Sequence, residues 1–186
     1  SALLSGALLN CALLAVLRFY QVIVAAGDGE FARPLLAVLG FLSIGVAAAL
    51  MVGQRDYKRL LAYSSVENMG IIVVGCALSG PAVYGALLHA VNHSLGKTAL
   101  FLLTWSVLRA YGTTTAGEVT GILRRLPATG VILAAGMLAI GGAPPFGSFI
   151  SEFTIFSAAM RGPRPWQGIL FAGLLGVGFI GTAGVL

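Results

Sequence analysis

Long apolar runs alternate with short polar gaps along this chain. Six runs are long enough to cross a bilayer as helices, which takes roughly 20 mostly apolar residues. They fall at about 1–26, 34–53, 60–80, 82–110, 129–160 and 167–186. The gaps carry turn chemistry: "GDGEFARP", "GQRDYKR", "SGP", a longer polar stretch at 111–128, and "RGPRPWQ", nearly all with Gly or Pro. The pattern predicts an all-α membrane protein built as one transmembrane unit over 1–186. The chain opens and closes inside apolar runs, which reads as part of a longer membrane protein.

The fifth run is too long for one straight span and contains "GGAPPFG". Pro144 and Pro145 supply no backbone N–H, so the carbonyls of Ile140 and Gly141 lose their helical donors. A break at membrane depth is tolerated where protein or a water-filled cavity satisfies the freed backbone. Broken helices of this kind are common at ion and substrate sites of transporters.

Composition supports the same class. Hydrophobic residues make up 58% of the 186 residues and charged ones only 9%, against about 25% charged in soluble domains. Lipid is the solvent such a chain requires. No basic cluster interleaved with aromatics occurs, so the net charge of +5 speaks to orientation and not to nucleic acid. Successive gaps lie on alternating sides. One side collects Arg55, Lys58, Arg59, Arg109, Arg124 and Arg125, and the other Arg33, Arg161 and Arg164. The excess makes loops 54–59 and 111–128 cytoplasmic by the positive-inside rule. Cys11 and Cys76 lie in apolar runs without metal-ligand or disulfide spacing.

Several ionisable residues stand inside the runs. His89, His93 and Lys97 follow one another at intervals of four in "HAVNHSLGK". On a helix they form one stripe, rising about 6 Å per step. Groups at that spacing exchange protons through one bridging water, and histidine titrates near neutral pH. A lysine at mid-bilayer costs about 2.5–3.5 kcal/mol on insertion scales, and Lys97 has too much helix on either side to snorkel out. Glu152, in "SFISEFTIF", follows the Pro-Pro break by about two helical turns. Glu67, in "AYSSVENMG", lies about 12 Å below the cytoplasmic edge by helix rise, placed as a relay or as a lysine's partner. Lys58 stands at the mouth of that helix, and Arg18 fits an interfacial anchor.

These stretches coincide with a family pattern. "DYKRLLAYSSVENMGIIVVG", "HAVNHSLGKTALFLL" and "LAIGGAPPFGSFISEF", in that order, resemble the proton-translocating antiporter-like membrane subunits of complex I, of multi-subunit cation/proton antiporters and of membrane-bound hydrogenases. The resemblance runs over about residues 3–160. "AYSSVE" and "LLNCALLAVLRF" are most similar to the hydrogenase-4 and formate hydrogenlyase branch. The resemblance implies about fourteen helices in two inverted five-helix repeats, this chain holding the second repeat plus one preceding helix. It implies that Lys97 is the lysine of the central water-filled axis, with His89 and His93 as its companions. It implies further that Glu152 lies on the exit path and that Lys58 is the basic residue of the "D-x-K-R" turn. Asn10 departs from the pattern, standing where complex I relatives have a lysine. An asparagine carries no proton at neutral pH, though it orients water.

The function so implied is movement of protons along a hydrated chain of buried Lys, His and Glu side chains, in a membrane subunit of a redox-driven complex. The expected setting is a bacterial or archaeal cytoplasmic membrane. The expected partners are other membrane subunits and a peripheral hydrogenase-like redox arm. No flavin, iron–sulfur, haem or nucleotide motif occurs, so no cofactor and no metal is expected. Whether the chain counts as part of an enzyme is left open, as is sodium as the alternative ion. An intramembrane metalloenzyme using His89 and His93 lacks the HExxH glutamate, since Ala90 follows His89. A passive membrane anchor explains the apolarity but not the buried charges.

Overall fold

The computed structural model describes residues 2–185; the expected helix ends at Ser1 and Leu186 lie outside the described residues. A π-helical turn, Leu4–Leu8, leads into α1 (Leu9–Ala25). Then come α2 (Gly29–Met51), α3 (Tyr57–Leu78) and α4 (Pro81–Tyr111). A 3-10 turn at Ala116–Glu118 and the short α5 (Ile122–Arg125) lead to α6 (Pro127–Ile140), α7 (Gly147–Arg161) and α8 (Trp166–Ala183). There is no strand among the described residues, only an isolated antiparallel bridge between Asp56 and Thr115.

Four of these helical segments are long and apolar enough to cross a membrane: Leu4–Ala25, Gly29–Met51, Tyr57–Leu78 and Trp166–Ala183. The 31 residues of α4 reach about 46 Å, but His89, Asn92, His93, Ser94 and Lys97 dilute its apolar run. The pair α6 and α7 makes the sixth expected segment.

Two boundaries differ from expectation. The second helix begins at Gly29, not near 34, because proline ends a helix only where its missing N–H and its ring are both unaccommodated. Pro34 is the sixth residue of α2, so it forfeits one early hydrogen bond and the helix continues. The fifth run, expected as one helix broken by Pro144 and Pro145, is two helices, and its stop lies upstream of the prolines. The helix ends at Ile140, where Gly142 adopts φ +76°. Its N–H donates to the Ala139 carbonyl at 3.3 Å, and the Ala143 N–H donates to Leu138 at 3.0 Å. This is a Schellman cap, and a proline just after such a cap is common because it cannot continue the helix.

At the centre lie α3 and α4, with α2, α6, α7 and α8 around them. Along its membrane window α3 is 72% buried, whereas α1 has none of its window buried. The exterior of α1 and α2 is apolar: Phe19, Val22, Phe31, Val38 and Leu42 are exposed. The interior is mixed. Ile44, Leu60, Ile72 and Ile155 are fully buried, but so are Ser64, Asn68, His89, His93, Lys97 and Ser151. Apolar outside with polar groups gathered inside suits a lipid solvent.

Loops 54–59 and 111–128 share one end of the bundle. The Tyr57 N–H donates to the Thr114 carbonyl at 2.9 Å, and the Ala116 N–H to Arg55 at 2.7 Å. Asp56 caps α3 by accepting from the Arg59 N–H at 2.9 Å, and it accepts from the Thr114 hydroxyl. Partial burial works against its charge. The bonds from Thr114 and from the backbone of Arg59 and Lys58 outweigh that and hold its carboxyl below the usual 3.8.

Candidate functional site

The stripe on α4 faces inward along its whole length. His89, His93 and Lys97 are all essentially fully buried, while Leu87, Val91, Leu95 and Trp105 face out. Interval-four spacing carries one helix face through the interior, and here that face meets α3 and α7. The Lys97 Nζ donates to the Leu61 carbonyl at 2.9 Å and to the Ser64 hydroxyl. Both partners are neutral oxygens on α3. Nζ is also within electrostatic reach of Glu67, His89 and His93.

His89 is held at both ring nitrogens. Nε2 lies 2.9 Å from Asn68 Oδ1 on α3, and Nδ1 lies 2.8 Å from Ser151 Oγ on α7. His93 is the opposite case, since neither ring nitrogen reaches a protein partner although both are buried. An unsatisfied buried polar group costs about 1–3 kcal/mol, so water is the partner that fits this imidazole.

The two carboxylates lie further along the same interior. Glu67 and Glu152 are both more than nine-tenths buried. Together with Ile140 and Gly141 of the helix break they line a void with about 10 Å³ open to water centres, room for about one molecule. Glycines make space for both. A Cβ on Gly178 of α8 would fall on the Glu67 carboxylate, and one on Gly142 would fall on that of Glu152. On its other side Glu152 lines a cavity of about 350 Å³ with Gly142, Pro144, Phe171 and Phe179. It therefore stands between an inner void and an outer cavity. Pro144 and Pro145 are exposed in the turn beside it.

Asn10 is on α1, where its amide donates to Ser94 Oγ at 2.5 Å and to the Ala90 carbonyl at 3.3 Å, both on α4. Its Oδ1 is buried without a partner. Lys58 is half-buried at the start of α3, one turn before Leu61, and is not among the groups that contact Lys97. Arg18 is exposed on α1 and Cys76 is buried, whereas Cys11 is exposed. Among the described residues no three His, Cys, Asp or Glu side chains converge as a metal site would require.

Sequence reasoning missed the residues that join the ionisable groups: Ser64, Ser65, Asn68 and Ser151. Ser65 accompanies Ser64 at the Leu61 carbonyl and bonds Ser5 of the π-helical turn at 2.7 Å. One signal was present. Ser64 and Asn68 repeat at the interval of four that made the α4 stripe visible, but small polar residues in membrane helices are common enough that spacing alone says little.

An all-helical membrane module with a buried lysine, two buried histidines and two buried carboxylates across a helix break is the class that fold and site define. The chain belongs to the NADH:quinone oxidoreductase/Mrp antiporter transmembrane family, whose profile matches residues 1–179. It is 41% identical over 188 aligned residues to the hydrogenase-4 component F homolog of Methylacidiphilum infernorum, a match covering all of this chain and 38% of the relative. It is 35% identical over 156 residues to NADH-quinone oxidoreductase subunit N of Desulforudis audaxviator, covering 81% of this chain and 30% of the relative. In three dimensions it is similar to a chain of the membrane-bound sulfane sulfur reductase, an archaeal respiratory membrane complex. The TM-score is 0.90 at 25% identity, over 99% of this chain and 38% of that one. A chain of the Mrp complex from Dietzia sp. shares the fold, with a TM-score of 0.86 at 22% identity over 99% of this chain and 34% of that one. The chain thus spans under two fifths of the length of the relatives it matches.

Proposed function

We propose that this chain is the second-repeat portion of a proton-translocating membrane subunit in a redox-driven complex of the hydrogenase-4 or complex I-like kind. The observation that carries the reading is Lys97: a fully buried cation held only by neutral oxygens, in electrostatic reach of Glu67, at the head of a line of titratable groups. A cation placed so is expensive, and a site that exchanges its proton recovers that cost as function.

The chemistry runs laterally. A charge change arriving from the part of the subunit outside this chain alters how tightly Lys97 holds its proton, because a nearby charge acts strongly in a poorly screened interior. The released proton passes toward Glu67, crosses the single-water void and reaches Glu152, which opens to the cavity at the break. His93, with both nitrogens free for water, supports the same transfer on the α4 side. Energy comes from a redox partner, and the other membrane subunits of the complex flank the chain. The relatives named above are subunits of such assemblies, which supports partners of this kind. Loops 54–59 and 111–128 face the cytoplasm in this reading.

The test uses the full-length subunit in its complex, reconstituted in vesicles. Lys97→Ala and Glu152→Gln are each expected to lower proton flux at least about tenfold while redox turnover of the soluble arm persists. Normal pumping by either variant rejects the assignment. Uptake of radioactive sodium, followed in parallel, tells a proton carrier from a sodium/proton exchanger.

A further inference from the structure

Four hydrogen-bond contacts decide how His89 handles a proton. The Asn68 Nδ2 donates to the carbonyl of Ser64 at 2.5 Å. Turning the amide over would press Oδ1 against that carbonyl, acceptor against acceptor, so the amide has one orientation. Its Oδ1 therefore faces His89 Nε2, and an oxygen that only accepts requires a hydrogen on that nitrogen. At the other end of the ring, the Ser151 hydroxyl has one hydrogen and two acceptors in reach: His89 Nδ1 at 2.8 Å and the Ser148 carbonyl at 2.7 Å. With a neutral imidazole the hydroxyl donates to Nδ1. With a protonated imidazole Nδ1–H donates to Oγ, and the hydroxyl turns to Ser148. Every polar group is satisfied in both states, and no heavy atom moves.

We infer that Asn68 and Ser151 make His89 a proton store with a single door: the proton enters and leaves at Nδ1, through the Ser151 hydroxyl, and none passes at Nε2. An amide neither gains nor loses a proton near neutral pH, so a proton on Nε2 has no onward acceptor. Lys97 bonds the Ser64 hydroxyl whereas Asn68 bonds the Ser64 carbonyl, so the path from Lys97 to His89 is also interrupted at Ser64 and is not a proton wire. His89 is a branch reached from α7. On loading, the Ser151 hydroxyl proton moves to Nδ1 and Oγ takes another from a water or carboxyl on the α7 side; unloading is the reverse. The charge so stored lies in electrostatic reach of Lys97 and His93 on its own helix. The other ionisable groups of this interior are Glu67 on α3 and Glu152 on α7, the residue after Ser151. The stored charge repels a second positive charge on Lys97. This deepens the proposed function and rests on it only for that last consequence.

The test is nitrogen NMR on the full-length subunit, labelled with 15N-histidine in its lipid-embedded complex, with the His89 signals assigned by loss in His89→Gln. Neutral His89 is expected to show a protonated Nε2 and a bare Nδ1, and acidification to add hydrogen at Nδ1 only. Asn68→Leu is expected to bring in the other tautomer. Ser151→Ala is expected to slow proton exchange at Nδ1 at least about tenfold, and Ser151→Thr to restore it. A bare Nε2 in the unsubstituted protein, or an Asn68→Leu variant with an unchanged tautomer, overturns the inference. In the flux assay His89→Gln should change the pH dependence of transport, whereas a loss as deep as that of Lys97→Ala at every pH makes His89 a through-relay and also overturns the inference. If Lys97→Ala leaves flux intact, the transport reading fails while the NMR result still judges the door.

Discussion

Lys97 is held in place by two oxygens that an uncharged side chain does not need. Ser64 keeps the Leu61 carbonyl as an acceptor at 3.4 Å without it. Replacing both members of a buried charged pair by uncharged groups of similar shape is often neutral or stabilising by about 1–4 kcal/mol, whereas removing one leaves the other uncompensated. Lys97 is in electrostatic reach of Glu67. The double variant Lys97→Met with Glu67→Gln is therefore expected to hold or raise stability, by up to about 3 kcal/mol, read as the thermal midpoint of the full-length subunit in detergent, while removing flux. A double variant that is both destabilised and inactive would mean that the pair is structural. The same logic separates the two histidines. His89 is bonded at both nitrogens and His93 at neither, a difference that identical residue types at identical spacing gave no means of seeing.

At the scale of elements, the site depends on glycines that remove side chains where carboxylates must go. Gly178 on α8 leaves the room that Glu67 occupies. Gly178→Ala is expected to cost about 1–3 kcal/mol, the usual range for overpacking, and to cut flux by displacing the carboxylate. Adding Glu67→Ala should return most of the lost stability but not the flux, and thermal unfolding of the single and double variants checks the coupling. The break follows the same principle. The prolines were visible in the sequence as a break, but Gly142 stops the helix, and its missing side chain lets the Glu152 carboxylate lie against the turn. Cap geometry and side-chain room are properties of a packed neighbour, which composition does not carry.

At the scale of the molecule, the arrangement is inverted relative to a soluble domain. Apolar surface is spread over α1 and α2, and the polar groups converge where α3, α4 and α7 meet. The basic loops 54–59 and 111–128 are tied together at one end by backbone bonds, as the alternation of spans requires. Cysteines placed at Gln54 and Gly117 of the full-length subunit, in a background without native cysteines, are expected to react with a membrane-impermeant maleimide from the cytoplasmic side and not from the other. Labelling of the two from opposite sides would contradict the shared end, and labelling of both from the outer side would reverse the proposed orientation.

The run lengths, the charges inside them and the interval of four on α4 were enough to establish helices in lipid, a broken fifth segment and an inward stripe of ionisable groups. All of these depend on residue type and local spacing, which the chain displays directly. Only the tertiary structure decided which groups meet. It brought Ser64 and Asn68 of α3 and Ser151 of α7 against the stripe, put Glu67 and Glu152 on one small void, and kept Lys58 at the mouth of α3. The hydrogen bonds to the stripe join residues 21 to 62 positions apart. They follow from how closely helices approach and which side chains are small enough to let them, and neighbours along the chain hold no record of that.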